Sequence, residues 1–312
     1  MTNIRDIANL SGYSVSTVSR LINQNGYVSK KAQQKIQYAI NKLNFVPNDI
    51  ARHLSKGKSI NIGVVVPYTH HPYFTQIISG ILEAAFYAKN NIVILQSNYN
   101  KYLEIKYLEK LHRKSFDSLI FTSQSLSLKK LAYYKKYGFI VCCENPKRIN
   151  LAAVYPLRKQ TYLKVFKSIK EKHFKRVSIL LNRKYSNSST SKVIINAFNQ
   201  IFASSPIKKL INTHITTFQD GYLIAQKYIK NNLKPDFIFT NDDDVAAGVY
   251  KYYSNHNLKI PFLFGQENHL SSKLLNISTI DHHLNKIGQL AFKLAFLHSI
   301  KKIPIKPNII IR

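Results

Sequence analysis

From Asn61 onward the chain alternates two kinds of segment. Short runs of consecutive apolar residues (NIGVVVP, NIVILQS, FDSLIFTS and FIVCCEN, later RVSILLN, LINTHI, DFIFTN, PFLFG and NISTI) are separated by longer stretches of helical periodicity. A strand that is apolar at every position must be covered on both faces, and strand–helix alternation supplies that cover in a parallel sheet. The strands are too many for one comfortable sheet. The expected core is therefore two Rossmann-like α/β subdomains with parallel sheets, over 60–156 with 280–302 and over 157–279 with 303–312. No period of 20–50 residues suggests a repeat array.

Residues 1–46 follow another pattern, three short helices. Asn3 is placed to cap the first, with Asp6 near its positive end, and Ile4, Ile7 and Ala8 form its apolar face. Gly12 makes the turn, Ser14 caps the second helix, Gly26 breaks the chain and Ser29 caps the third. Ala32, Ile36, Ile40 and Leu43 form the inner stripe of that third helix. Residues 47–59 hold one short, weak helix, NDIARHLS, and a polar linker, SKGKS.

The second helix, within SVSTVSRLIN, is built from mediocre helix formers. Val18, Leu21 and Ile22 are spaced to hold it on its neighbours. Val15, Ser16, Thr17, Ser19, Arg20 and Asn23 are left outside. Two helices joined by a glycine turn make a helix-turn-helix candidate, and short side chains let such a helix sink into a major groove. Hydroxyls can donate to phosphates, and Arg20 is long enough to fork onto a guanine. An ordinary three-helix packing unit with a polar face is the alternative.

Charge agrees with a polyanionic partner without proving one. Lys+Arg number 46 against 15 Asp+Glu, a formal charge of +31. Lysine far outnumbers arginine, and Asn, Ile and Tyr are abundant, as an AT-rich genome would write on any surface. No run of about 18 apolar residues suggests a membrane span, and the N-terminus has no apolar signal core. Cys142 and Cys143 are adjacent in an expected strand, which gives neither a disulfide framework nor a metal-ligand spacing. These features fit a protein of the reducing cytoplasm.

NIRDIANLSGYSVSTVSRLIN, YVS and PNDIARHL, followed by IGVVVP and HPYF, resemble the lactose/galactose-repressor (LacI/GalR) family of bacterial transcription regulators. FDSLIFTS, KRVSILL, PDFIFTNDDDVAAG and STI with IGQLAFKL match in pattern, and EIKYLE and DDDVAAG look most like one subgroup. The resemblance implies a dimer whose headpieces read a pseudo-palindromic operator. It also implies a core of the type I periplasmic-binding-protein fold with an effector between its subdomains. Val15, Ser16 and Arg20 occupy the family's base-reading positions. Thr17 and Ser19 occupy phosphate-facing ones, Asn23 ends the same face, and Ser29 and Lys30 begin the third helix where it faces phosphate. Leu54 matches the hinge-helix leucine that wedges into the minor groove, with Ala51 beside it. A helix as short as 47–55 is unstable alone and needs DNA and a second copy to form; a linker residue packed on the core is the alternative for Leu54.

For the effector cleft the resemblance implies Tyr73 and Phe74 as the aromatic pair and Asp243 as the ligand-binding carboxylate. It places Lys192 where an arginine is usual and Thr216 where an aromatic is usual. Pro156-Leu157 replaces the usual Asp-Asn. These departures remove a fork donor, an acceptor and a stacking face, which puts a sugar ligand in question.

The consecutive carboxylates Asp242, Asp243 and Asp244 fit ligand-site and helix-capping roles better than a metal site, and neither His70-His71 nor His282-His283 has a third ligand at a metal spacing. No nucleophile elbow, phosphate-cradling glycine loop or triad pattern is present. The chain therefore reads as a repressor of carbon-metabolism genes. It is not an enzyme, needs no cofactor and has no membrane partner. Its partners are operator DNA, a second copy of itself, and a sugar or sugar-phosphate effector. A phosphorylated phosphocarrier protein acting as co-effector is the second reading, and a solute-binding protein the third. A dimer rather than a tetramer is expected, since no leucine-heptad tail follows NIIIR.

Overall fold

The computed structural model describes residues 2–46, 61–202 and 210–312. The chain divides into two compact units, one within residues 1–60 and one spanning 61–312. The expected hinge helix, with Ala51 and Leu54, lies outside the described residues.

In the first unit, helices α1 (Ile4–Ser11), α2 (Val15–Ile22) and α3 (Lys30–Lys42) start where the caps were expected. The Asn3 side chain accepts from the backbone of Arg5 and Asp6, and the Asp6 carboxylate accepts from Asn3 N at 2.8 Å, a reciprocal capping box. Gly12 ends α1 at φ +75°, a left-handed turn that costs glycine little. Ser14 and Ser29 accept from Thr17 N and Ala32 N. Ile7, Val18, Ile36 and Ala39 are fully buried between the helices, with Leu21, Ile22, Ile40 and Leu43 packed around them. The apolar spacing in SVSTVSRLIN is thus the inner face of a three-helix unit.

The second unit holds two parallel sheets. The larger is ordered β11-β5-β4-β3-β1-β2, from β1 (Asn61–Val66), β2 (Asn91–Gln96), β3 (Ser118–Phe121), β4 (Phe139–Cys142), β5 (Ala152–Pro156) and β11 (Lys302–Ile305). The smaller is β7-β6-β8-β9, from β6 (Val177–Leu181), β7 (Ile211–Thr213), β8 (Phe237–Phe239) and β9 (Phe262–Phe264). Strands β10 (Thr279–Asp281) and β12 (Asn308–Ile310) form an antiparallel pair beside β9. Alternate residues of each strand feed opposite faces. Ile120 points to one apolar layer and Leu119 and Phe121 to the other; Ile179 and Leu180 divide likewise in the second sheet. Cys142 and Cys143 are fully buried in these layers.

Two details differ from the sequence expectation. The boundaries at 280 and 303 fall inside strands: β10 pairs with β12, and Lys302–Ile305 pairs in parallel with Ala153–Pro156 of the first sheet. The last crossing therefore follows Ile305. Pro304 hid this strand, yet β11 is an edge strand, where a missing N–H is tolerated. Strand β2, apolar from Ile92 to Leu95, is also an edge, so Val93 and Ile94 stay 37% exposed.

The helix layers repeat one device. In the first subdomain α4 (Pro72–Tyr87) crosses α12 (Leu284–Phe296), where a Cβ on Gly80 would lie 1.9 Å from Asn285 O and one on Gly288 2.1 Å from Ile77 O. In the second, α9 (Phe218–Lys230) crosses α10 (Asp243–Asn255), with Gly221 against Val245 O and Gly248 against Phe218 O. The two subdomains are built alike.

Candidate DNA-reading surface and effector cleft

On the first unit the outer face of α2 is as short as its sequence implies. Val15, Ser16 and Arg20 are exposed, and Thr17, Ser19 and Asn23 are half-buried. Some of these groups are already tied: Thr17 Oγ1 to the cap Ser14 at 2.9 Å, and Asn23 Nδ2 to Ser19 O at 2.9 Å. The Arg20 guanidinium remains available. Ser29 and Lys30 are exposed at the start of α3. Arg5, Arg20, Lys30, Lys31, Lys35 and Lys42 face a single acid, Asp6, in this segment. Tyr27, 87% exposed between α2 and α3, is an aromatic the sequence reading left without a role.

In the second unit the carboxyl ends of both sheets face a cavity of about 90 Å³. Tyr73, Phe74, Tyr99, Ser123 and Glu144 line it from the first subdomain; Arg158, Arg183, Ser188, Ser189, Asn241 and Glu267 line it from the second. Tyr73 and Phe74, the expected aromatic pair, line this cavity from the first turn of α4. The aromatic cluster continues through Tyr68, whose ring lies edge-on to Phe74 and Tyr99.

Two arginine–tyrosine pairs span the cleft. Arg158 opens α7 (Arg158–Glu171) and donates from Nη2 to the Tyr73 hydroxyl at 2.9 Å. The Arg183 guanidinium lies 3.8 Å from the Tyr99 ring centre. Burial works against a charge on Arg158, but Tyr73, Tyr162 and Glu267 more than offset it and raise its pKa. Burial raises the Tyr73 and Tyr99 phenols, with the arginines pulling the other way. Burial likewise lowers His71, which lines the same cavity, towards the neutral form. Glu144 accepts from Ser123 Oγ at 2.6 Å and, across the cleft, from Ser189 Oγ at 3.4 Å.

Three expected cleft residues lie elsewhere. Lys192 is exposed on α8 (Ser189–Phe202) and does not line the cavity. Thr216 is bound through N and Oγ1 to Asp220 Oδ2 at 2.9 and 3.2 Å, extending the cap of α9, and neighbouring Phe218 is 43% exposed. Asp243 is fully buried behind the wall. Thr279 Oγ1 and His269 N donate to its carboxylate at 2.6 and 2.7 Å, and burial pushes its pKa up to about 7. Asn241 faces the cavity in its place.

A larger cavity of about 740 Å³ opens at the opposite, amino ends of the second sheet's strands, near Phe174, Asp236 and Phe262. It lies away from the convergent polar groups. No helix among the described residues is long and apolar enough to cross a membrane.

Comparison with known proteins agrees with this architecture. Residues 3–48 match the family model described as bacterial regulatory proteins, lacI family. Residues 59–293 match the periplasmic binding proteins and sugar binding domain of LacI family. The chain is 31% identical over 294 residues to catabolite control protein B of Bacillus subtilis, covering 94% of each chain. It is 30% identical over 265 residues to the sucrose operon repressor of Streptococcus mutans, covering 84% of this chain and 80% of that one. The lac repressor dimer bound to operator and an anti-inducer superposes with a TM-score of 0.79 at 16% identity, covering 99% of this chain and 97% of that one. The three-helix unit and the doubly wound core are thus the parts of a known arrangement: the chain belongs to the LacI family of bacterial regulatory proteins and is a DNA-binding transcriptional regulator.

Proposed function

We propose that the chain is a cytoplasmic, dimeric repressor of carbon-metabolism genes whose operator affinity is set by a small ligand in the cleft. Val15, Ser16 and Arg20 read base edges in the major groove of each half-site. Thr17, Ser19, Asn23, Ser29 and Lys30 hold the phosphates. Ala51 and Leu54 pack at the operator centre, Leu54 as the minor-groove wedge.

The observation that carries the effector part is the pair of guanidinium groups, Arg158 and Arg183, meeting tyrosines of the opposite subdomain. A ligand that takes over those guanidinium contacts changes how the two halves close, which links the cleft to the DNA-binding ends. Two cations, edge-packed aromatic rings and serine hydroxyls suit an anionic, hydroxylated molecule such as a sugar phosphate. The same loss of usual cleft residues keeps a second reading open, in which a phosphorylated phosphocarrier protein is the co-effector. A solute-binding role is disfavoured by the headpiece.

The test is selection of bound genomic fragments with the purified chain, followed by operator titration with sugars, sugar phosphates and phosphorylated carrier protein. A response to a sugar phosphate that disappears in Arg158→Ala supports the cleft mechanism. A response only to the carrier protein replaces it with the second reading, and no sequence-selective binding removes the repressor assignment.

A further inference from the structure

Behind the cleft wall, a group of buried polar atoms remains unused by the mechanism above. Asp242 is 1% exposed and caps α10, its Oδ1 accepting from Asp244 N at 2.8 Å. Its other oxygen has no hydrogen-bond partner among the described residues. The His269 side chain, 9% exposed, enters from the loop after β9, and both ring nitrogens lack a hydrogen-bond partner there. Asp244 completes the group; its Oδ1 accepts from Ser271 Oγ at 2.6 Å.

Leaving such atoms unsatisfied in the interior is unfavourable, most of all for a charged group, so they call for an occupant. One ligand atom from each of Asp242, Asp244 and His269 lies within 4.8 Å of the other two. His269 Nδ1 and Asp242 Oδ1 are 3.6 Å apart, too long for a hydrogen bond. Two ligands at ~2.0–2.2 Å from a tetrahedral zinc lie about 3.4 Å apart, so this spacing needs little closure. The three residues also differ in origin. Asp242 caps α10, Asp244 lies in its first turn and His269 comes from a separate loop, so convergence is a product of the fold. Consecutive carboxylates alone would not provide it.

We infer that Asp242, Asp244 and His269 form a binding site for a first-row divalent metal ion, with zinc as the best-fitting probe. One imidazole and two carboxylates are the donor set of a borderline cation, and water would fill the open position. His71 adds to the site's surroundings, its Nε2 likewise buried without a hydrogen-bond partner among the described residues, whereas Glu267 Oε2 faces His282 Nδ1 at 3.3 Å. The ion would tie the start of α10 to the loop entering α11 (Leu270–Leu274). Asn241 and Glu267, on either side of that tie, line the effector cleft, so the ion would stiffen the cleft's second wall.

The rival occupant is a proton. Burial opposes a charge on His269, yet Asp242, with Glu267 and Asp243, pushes its pKa up to about 9, so a plain buried ion pair is the competing account. The experiment uses the full chain without DNA, stripped by chelator and titrated with Zn2+ and Mn2+ against a chromophoric competitor. One Zn2+ per chain is expected, with a rise in Tm. His269→Gln and Asp242→Asn should each weaken binding at least ~10-fold, the lower end for disturbing even an outer-shell partner. His283→Gln, a change at a histidine that pairs with Asp281, should not. If loss of the cap unfolds Asp242→Asn, the half-buried Asp244→Asn carries the test by the same threshold. Absence of stoichiometric uptake, or unchanged affinity in His269→Gln, overturns the site in favour of the ion pair. Either result leaves operator binding, measured separately, to decide the repressor assignment.

Discussion

The Arg158 guanidinium, on the first residue of α7, hydrogen-bonds the Tyr73 hydroxyl at 2.9 Å across the cleft. The guanidinium also lies 5.7 Å from the Tyr73 ring centre. This pair is therefore one of the contacts that join the two subdomains. Hydrogen bonds to charged groups contribute about 1.5–3 kcal/mol, and residues in direct contact couple by about 0.5–3 kcal/mol. Tyr73→Phe, Arg158→Met and the double variant should give a coupling of roughly 1 kcal/mol or more in denaturant unfolding. Strict additivity would mean that the pair does not clamp the halves.

Arg20 lies exposed on α2, free to reach a base edge. Arg20→Ala should weaken operator binding by about 1–3 kcal/mol and relax the preference at one position per half-site. Lys30→Ala should weaken all sequences alike and flatten the salt dependence by about one phosphate contact. Binding of operator variants at two salt concentrations separates these effects. An unchanged ranking of variants in Arg20→Ala would remove its base-reading role.

How much of this was legible in the sequence depended on whether the signal was local. The caps at Asn3, Ser14 and Ser29 and the apolar strands are local, and the structure has them where they were read. Strand Lys302–Ile305 was missed because its Pro304 is permitted only by an edge position that no local pattern reveals. The cleft was harder still, because its residues come from separate loops. Counting from family positions gave Lys192, Thr216 and Asp243, none of which lines the cavity. A positional rule would have done better. In parallel α/β sheets ligands sit beyond the carboxyl ends of strands. The residues just past those ends include Tyr99, Ser123, Glu144, Arg183, Asn241 and Gln266, all of which line the cavity.

Leu82, Phe86 and Tyr87 of α4 are 47%, 78% and 79% exposed, and Val93 and Ile94 follow on the edge strand β2. Exposed apolar groups of this density mark an association surface. Phe86→Asp should shift a dimer towards monomer and lower operator affinity, while the isolated chain stays folded. Sedimentation equilibrium checks both forms. A wild-type monomer, or a stable tetramer, would contradict the dimer proposal.

Cys142 and Cys143 are fully buried, and burial pushes the Cys143 thiol up to about 12 and Cys142 well above its usual value. Both should resist a thiol reagent at pH 8 until the protein unfolds. The sign of the pH effect follows. The native thiols stay protonated above pH ~8.5, where unfolded thiols ionise, so stability should fall as pH rises from about 8.5 towards 12. Cys143→Ala should flatten part of that alkaline decline; an identical decline would assign it to other groups.

The crossing of α4 with α12 is closer than any side chain allows at Gly288, whose added Cβ would meet Ile77 O at 2.1 Å. The neighbour there is backbone, which cannot swing aside as a side chain would. Gly288→Ala must therefore push two helices apart and loosen Ile77, Ile81 and Ile287 beneath them. Intrinsic helix propensity works in the opposite direction, favouring alanine by about 0.8–1 kcal/mol. Overpacking costs about 1–3 kcal/mol and more where backbone must move, so the net change should be destabilising. Gly248→Ala, against Phe218 O at 1.9 Å, should behave alike in the second subdomain. Denaturant unfolding of each variant measures the balance. A stabilised Gly288→Ala would show that the helices can separate without loss and that close approach is not what places glycine there.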